Sequence, residues 1–300
     1  MIAAMWSLVQ YPSAKSRWSL ERKVRAIKEA GFHGLATTAT PKLKKLADKY
    51  GLVIIGYVAS GNAKEFHKLL KDNADNGAHY INVQLADEDT LTPEALKLTL
   101  QLMKDGEKIG CEPAVEIHRD TCTEAPEKAY ALADAYRKAT GKLLPMALDY
   151  SHVSVVKHLH PGNYALRLLV QPKLIQRVEQ IHLRPFNGHH CQIPVTDGKG
   201  KLTPEIKDWI PFAEALFRVW AKENRTDANS SSFPKWVPSL AATTSTACPT
   251  AGRKPSCSKA SSKKPGKPPL SQPKNKPQGG WPEKNTKRVA EELGDFFCQF

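Results

Sequence analysis

Three apolar runs in this chain end in residues that bind metals or move protons, and they are evenly spaced. They are Val115-Glu116-Ile117-His118, Leu148-Asp149-Tyr150-Ser151-His152 and Ile181-His182-Leu183-Arg184. Glu116 to Asp149 is 33 positions, and Asp149 to His182 is 33 again. A strand with its crossover helix occupies about 30 residues or more. The same point on three successive parallel strands would therefore carry Glu, Asp and His. Two carboxylates and an imidazole converging there make a hard-to-borderline site for a divalent cation.

The rest of the first 224 residues keeps the same rhythm. Short apolar strands are expected at 5–11, 34–38, 52–58, 80–85, 112–118, 145–150 and 180–183. Between them, apolar residues recur at helical spacing over 20–30, 41–50, 63–76, 92–109, 125–140, part of 166–178, and 203–222. Pro41, Pro93 and Pro204 each follow a Thr or precede a Glu at a helix start, where proline suits the first turn. Seven strands alternating with helices predict a parallel α/β sheet, and right-handed crossovers curl it toward a (β/α)8 TIM-barrel type. Active sites of that architecture sit at the carboxyl ends of the strands, where Glu116, Asp149 and His182 fall. No G-x-G-x-x-G loop follows any strand, which argues against a dinucleotide-binding sheet.

Strand alternation puts Glu116 and His118 on one face, and His182 and Arg184 likewise. A buried carboxylate in an apolar run is costly unless a cation or donor faces it, so Glu116, Asp149 and His182 are read as metal ligands. Against this stand a structural ion pair for Glu116, a capping carboxylate for Asp149 and a satisfied core histidine for His182. His152, just past its strand, is placed to meet a substrate hydroxyl. His118, Arg119 and Arg184 are candidates to polarise a carbonyl or hydroxyl, with a structural salt bridge as the competing reading. Gln84 ends its strand where it would reach either a substrate hydroxyl or a neighbour in the barrel mouth. His189 and His190 read as surface residues.

Val-Glu-Ile-His-Arg-Asp, Leu-Asp-Tyr-Ser-His and Ile-His-Leu-Arg together resemble the xylose-isomerase-like TIM barrels, in particular the sugar (phosphate) isomerase/epimerase family, over residues 1–224. The resemblance implies one divalent ion (Mn, Co or Mg) held by Glu116, Asp149 and His182 and by a second Glu from strand eight. It also implies catalytic roles for Glu116 and His152, and substrate contacts from His118, His152, Arg184 and Gln84. The expected substrate is a small sugar. A polyol or sugar-acid dehydratase of the same fold is the alternative. Apurinic endonucleases of the superfamily fit poorly, because His33, His67 and His79 precede strands or lie in helices.

The pattern breaks after Lys222. Residues 225–300 hold 13 Lys/Arg against 5 Asp/Glu, 10 of the 22 prolines and none of the 10 histidines. Such a segment buries too little apolar surface to offset the entropy of ordering, so it reads as a basic low-complexity tail that leaves the barrel without strand eight. A non-catalytic barrel relic with a basic binding tail is the alternative from another class. A shifted reading frame also accounts for the break. Third-base readthrough of residues 229–233 gives four residues drawn from Phe, Leu, Ile or Val. Residues 233–237 then give Pro or Ser, an acid or amide or Lys, Met or Val, and Gly.

Six cysteines without CxxC pairing point to reduced thiols and a cytoplasmic setting. Residues 1–9 are too short to span a bilayer, so no membrane partner is expected. Nucleic acid is not an expected partner, and the oligomeric state is left open.

Overall fold

The computed structural model describes residues 1–178, 180–197 and 201–222, together with the backbone of Ser239–Leu240. The sheet is parallel throughout. Its strands in chain order are β1 (Ile2–Ala4), β2 (Gly34–Ala36), β3 (Val53–Ser60), β4 (Tyr80–Leu85), β5 (Glu112–Glu116), β6 (Met146–Leu148), β7 (Gln180–Ile181) and β8 (Ser239–Leu240). Spatial order follows chain order from β1 to β7, and β8 lies beside β1. The result is a curled, TIM-barrel-like α/β sheet. Within it, β8 supplies two residues of ladder and no carboxylate. The remainder of the tail expected at 225–300, and the shifted-frame segment, lie outside the described residues.

The helices are α1 (Leu20–Glu29), α2 (Pro41–Tyr50), α3 (Ala63–Asp75), α4 (Thr92–Ile109), α5 (Pro126–Thr140), α6 (Tyr150–Val156), α7 (Tyr164–Leu168), α8 (Pro172–Ile175) and α9 (Pro204–Ala221). Their ends follow from local chemistry. Ser19, Thr40 and Thr203 accept hydrogen bonds from backbone N–H groups of the first turns of α1, α2 and α9. Gly51, in the left-handed conformation, terminates α2. None of the helices is long and apolar enough to cross a membrane, among the described residues.

The first strand corrects the sequence reading. It occupies Ile2–Ala4, and the stretch expected as strand, 5–11, opens with a 3-10 turn, Met5–Leu8. Ile2, Ala3 and Ala4 are all buried, paired to Gly34, Leu35 and Ala36, whereas Trp6 and Val9 are exposed. Two small alanines carry little apolar signal, yet the start of the sheet is closely packed. Gly34 shows the same crowding, since a Cβ there would lie 2.5 Å from the Val53 carbonyl oxygen.

The core that fixes the site is the set of outward and flanking residues on the later strands. Val115, Ile117, Leu148, Ile181 and Leu183 are all buried. Register then aligns the strand ends: Glu116 pairs with Ala147, and Leu148 with Ile181. His182 N donates to the Leu148 carbonyl at 2.8 Å, which holds the imidazole one residue beyond the β7 ladder.

Candidate metal centre

Glu116 ends β5, Asp149 follows β6 and His182 follows β7, and all three side chains are buried. The sheet register brings them together: one ligand atom from each lies within 4.8 Å of the other two. His182 Nδ1 lies 3.1 Å from Glu116 Oε1 and 3.3 Å from Asp149 Oδ2. One nitrogen cannot satisfy two carboxylates well with a single proton. Two oxygens and a nitrogen that face one point instead have the composition and convergence of a divalent-cation site, and the residues present fit such an ion.

Each side chain of the trio is oriented by neighbours. Glu116 Oε2 accepts from Asn82 Nδ2 at 2.8 Å and from Gln84 Nε2 at 3.0 Å. Gln84 Oε1 in turn accepts from the Tyr57 hydroxyl at 2.7 Å. The chain Tyr57–Gln84–Glu116 leaves Oε1 directed at His182. Asp149 divides its two oxygens between two tasks. Oδ1 caps α6, accepting from Ser151 N at 3.0 Å and from the Ser151 hydroxyl. Oδ2 faces His182 and accepts from Arg184 Nη2. Asp149 is thus both the helix cap and a candidate ligand.

The electrostatics follow from burial and partners. Burial pushes the Glu116 carboxyl up, but the His182 imidazolium beside it outweighs this and holds it below its ordinary value. Burial opposes ionisation of Asp149 as well, and Arg184, His152 and His182 together bring it well below the carboxylate range. Burial lowers His182, while the two carboxylates raise it further, to about 9. In the metal-free chain a proton on His182 therefore occupies the position a cation would take. His152 differs: burial dominates and lowers it to about 3, so the ring is neutral. Burial, then the Glu116 charge, raises Tyr57 and keeps its hydroxyl a donor.

The other residues singled out from sequence lie around this point. His152 Nε2 is 3.5 Å from Asp149 Oδ2 and in contact with Arg184 Nη2. The His118 and His152 rings are 3.6 Å apart between centroids, and Glu116, His118 and His152 form a second group whose ligand atoms lie within 4.8 Å. Gln84 spends both ends of its amide on protein, on Glu116 and on Tyr57. His189 and His190 are exposed. No fourth carboxylate stands with the three among the described residues.

Sequence reasoning missed Asn82, Tyr57, Trp6 and Cys191. Asn82 was accessible in principle, because it precedes Gln84 by two and so shares its face of β4. The Tyr57 contact depends on the register of β3 on β4, with Tyr57 opposite Asn82. Trp6 reaches the site only because β1 stops at Ala4, which leaves its ring 6.3 Å from that of His182. Cys191 is brought to His152 by a loop that carries no periodic signal.

No family model matches the sequence, and no curated protein matches it. Solved structures do. An L-ribulose 3-epimerase superposes with a TM-score of 0.53 at 12% identity, covering 82% of this chain and 82% of that one. A D-allulose 3-epimerase from Methylomonas sp. gives a TM-score of 0.50 at 13% identity, covering 73% of this chain and 80% of that one. A xylose isomerase domain containing protein from Salmonella typhimurium LT2 gives 0.45 at 16% identity, covering 61% and 70%. The chain shares a curled parallel α/β, TIM-barrel-like fold with the L-ribulose 3-epimerase and D-allulose 3-epimerase structures.

Proposed function

We propose that the chain is a divalent-metal-dependent isomerase or epimerase of a sugar or sugar derivative. The observation that carries this reading is the convergence of Glu116 Oε1 and Asp149 Oδ2 on His182 Nδ1, at 3.1 and 3.3 Å, at the carboxyl end of a parallel sheet. Glu116, Asp149 and His182 would hold Mn, Co or Mg, and the bound ion supplies polarisation of a substrate carbonyl and its neighbouring hydroxyl.

The chain's own residues perform the proton transfer. Loss of a proton from the carbon beside a carbonyl needs a positioned base, and Glu116 is that base. Asn82 and Gln84 fix its Oε2 and leave Oε1 directed at His182. His152 and Arg184 stand over Asp149 as an acceptor and a donor for adjacent substrate hydroxyls, with His118 stacked beside them. Return of the proton to the opposite face of the same carbon gives epimerisation, and return to the neighbouring carbon gives isomerisation. With three ligands and no strand-eight carboxylate among the described residues, turnover in this chain is expected to be slow.

Ketoses are the first substrates to assay, since two proteins of this fold are named for ketose epimerisation. A panel of ketopentoses and ketohexoses incubated in D2O with the Mn2+-loaded chain should take up one solvent deuterium beside the carbonyl. This exchange registers proton transfer even where turnover is slow. Glu116→Gln should abolish it. Equal exchange by that variant and the unmodified chain would contradict the assignment.

A further inference from the structure

Positive charge is unevenly placed in this chain. Residues 15–49 hold 10 Lys/Arg against 3 Asp/Glu, whereas the rest of residues 1–224 holds 21 against 22. The whole basic excess before residue 225 therefore lies on one stretch. That stretch takes in a two-stranded hairpin, Pro12–Ser13 with Ser16–Arg17, and then α1 and α2. Val24 and Ile27 of α1 and Leu43 and Ala47 of α2 are buried. The other faces carry Arg22, Arg25 and Lys28 on α1 and Lys42, Lys45 and Lys49 on α2, all exposed. Steps of three or four residues set the Cβ atoms of successive helix cations about 5–6 Å apart. Glu21 of α1 accepts from Lys49 of α2 at 2.6 Å and from the Tyr50 hydroxyl at 3.2 Å, so the two rows lie side by side.

The three carboxylates of this stretch are already taken. Glu21 holds Lys49, Glu29 holds Arg25 at 3.5 Å, and Asp48 holds Lys44 at 3.2 Å. Lys15 and Arg17 on the hairpin, Arg22 and Lys28 on α1, and Lys42 and Lys45 on α2 have no carboxylate partner among the described residues. On α3, by contrast, Lys68 pairs with Asp72 at 2.6 Å and Lys71 with Asp75 at 2.9 Å. The hairpin is fixed to α1. The Arg22 guanidinium lies 4.4 Å from the Trp18 ring centroid, Trp18 meets Tyr11 edge-on at 4.6 Å, and Trp18 N donates to the Tyr11 carbonyl at 2.8 Å. Burial, and then the charge of Arg17, lower the Lys23 ammonium, as crowded cations do. Like charges held in a fixed array repel one another, and a bound polyanion relieves that repulsion.

We propose that the hairpin, α1 and α2 form a docking face for nucleic acid, held through the phosphodiester backbone without regard to base sequence. Backbone phosphates are bound by arrays of Lys and Arg, and Arg adds forked pairs of hydrogen bonds to the phosphate oxygens. An anionic bilayer is the competing polyanion. Helices that settle into a bilayer surface present Trp, Phe or Leu opposite their cations. None of the exposed large apolar side chains falls between residues 10 and 52. The expectation of no nucleic-acid partner is revised on this ground, because the fold assembles into one face the charges that a hairpin and two helices carry separately. None of these residues belongs to the metal centre, so the proposal does not depend on the metal or the sugar reading.

The test is binding of a fluorescein-labelled duplex DNA of mixed sequence to the full chain, followed by anisotropy between about 50 and 200 mM KCl. Two triple variants remove the same charge from different places. One combines Lys28→Gln, Lys42→Gln and Lys45→Gln on the proposed face. The other combines Lys97→Gln, Lys138→Gln and Lys173→Gln on α4, α5 and α8. All six lysines are exposed, so both variants should melt as the unmodified chain does. The unmodified chain should bind with an affinity that falls steeply with salt. The first variant should reduce the log–log salt slope by about 2–3, at about 0.9 per phosphate contact, and weaken binding about tenfold or more at the lowest salt. The second should leave slope and affinity unchanged. Equal losses in the two variants, or no loss in the first, would assign binding to net charge or to residues 225–300 and overturn the proposal. It would also be overturned by an unmodified chain that shows no salt-dependent binding. So would a first variant that loses binding to phosphatidylserine vesicles while its DNA binding stays intact.

Discussion

Raising the pH from 7 to 9 should tighten Mn2+ binding by about 100-fold, because a proton and the cation compete for His182 Nδ1. Between Glu116 and Asp149 the imidazole is raised to about 9, so at pH 7 nearly every metal-free molecule carries that proton. A ligand must be deprotonated to bind metal. Removing a proton two pH units below its pKa costs about 3 kcal/mol at 1.36 kcal/mol per unit. The sign follows directly: a raised pKa favours the protonated, metal-free form, so apparent affinity climbs about tenfold per pH unit up to 9 and then levels off. Glu116 and Asp149 are held below their ordinary values, and His152 is lowered to about 3, so none of them titrates in this window. Calorimetric titration with Mn2+ in two buffers of different ionisation enthalpy counts the proton released. The expectation is close to one per ion at pH 7, falling toward none above pH 9. A pH-independent affinity with no proton release would refute the reasoning.

The same pairing sets the stability of the metal-free chain. His182 contributes stability fully present below its unfolded pKa near 6.5 and lost as pH rises through about 9. The depressed Glu116 and Asp149 contribute stability present above their unfolded values and lost as pH falls below them. These are one interaction viewed from two partners. The neutral His152, lowered to about 3, adds stability that is lost as pH falls below its unfolded value near 6.5. Melts in excess chelator should therefore peak at about pH 6.5, and a melting temperature still rising at pH 9 would contradict this. Tyr57→Phe frees Gln84 Oε1 and loosens the Glu116 carboxylate, so Mn2+ affinity should fall about 10- to 100-fold with the fold retained. An unchanged dissociation constant would show that the chain of hydrogen bonds does not orient the ligand. Gly34→Ala forces β2 from the Val53 carbonyl and should cost about 1–3 kcal/mol in urea unfolding. A neutral substitution would show that the strand has room to shift.

The convergence of Glu116, Asp149 and His182 was legible in the sequence because each residue ends an apolar run and the runs repeat at the length of a strand–helix unit. That spacing also revealed the parallel sheet and most helices, whose caps at Ser19, Thr40 and Thr203 are local signals. The first strand was misplaced because Ala3 and Ala4 give little apolar contrast, while the more hydrophobic stretch after them is partly exposed in a 3-10 turn. Asn82 and Tyr57 were hidden for a different reason. Their role depends on which residues stand opposite across β3 and β4, and pairing register is a tertiary property. Arg119 and Cys191 meet across 72 positions through two loops, and no periodicity in either loop reports it.

Metal content is the most direct test of the central claim that Glu116, Asp149 and His182 form one divalent-cation site. The chain is equilibrated with Mn2+ at pH 8, freed of unbound ion by gel filtration and analysed by elemental mass spectrometry. One ion per chain, absent from both Glu116→Gln and His182→Ala variants that melt cooperatively, is the result the account predicts. No stoichiometric ion in the unmodified chain, or an ion retained by both variants, would contradict it.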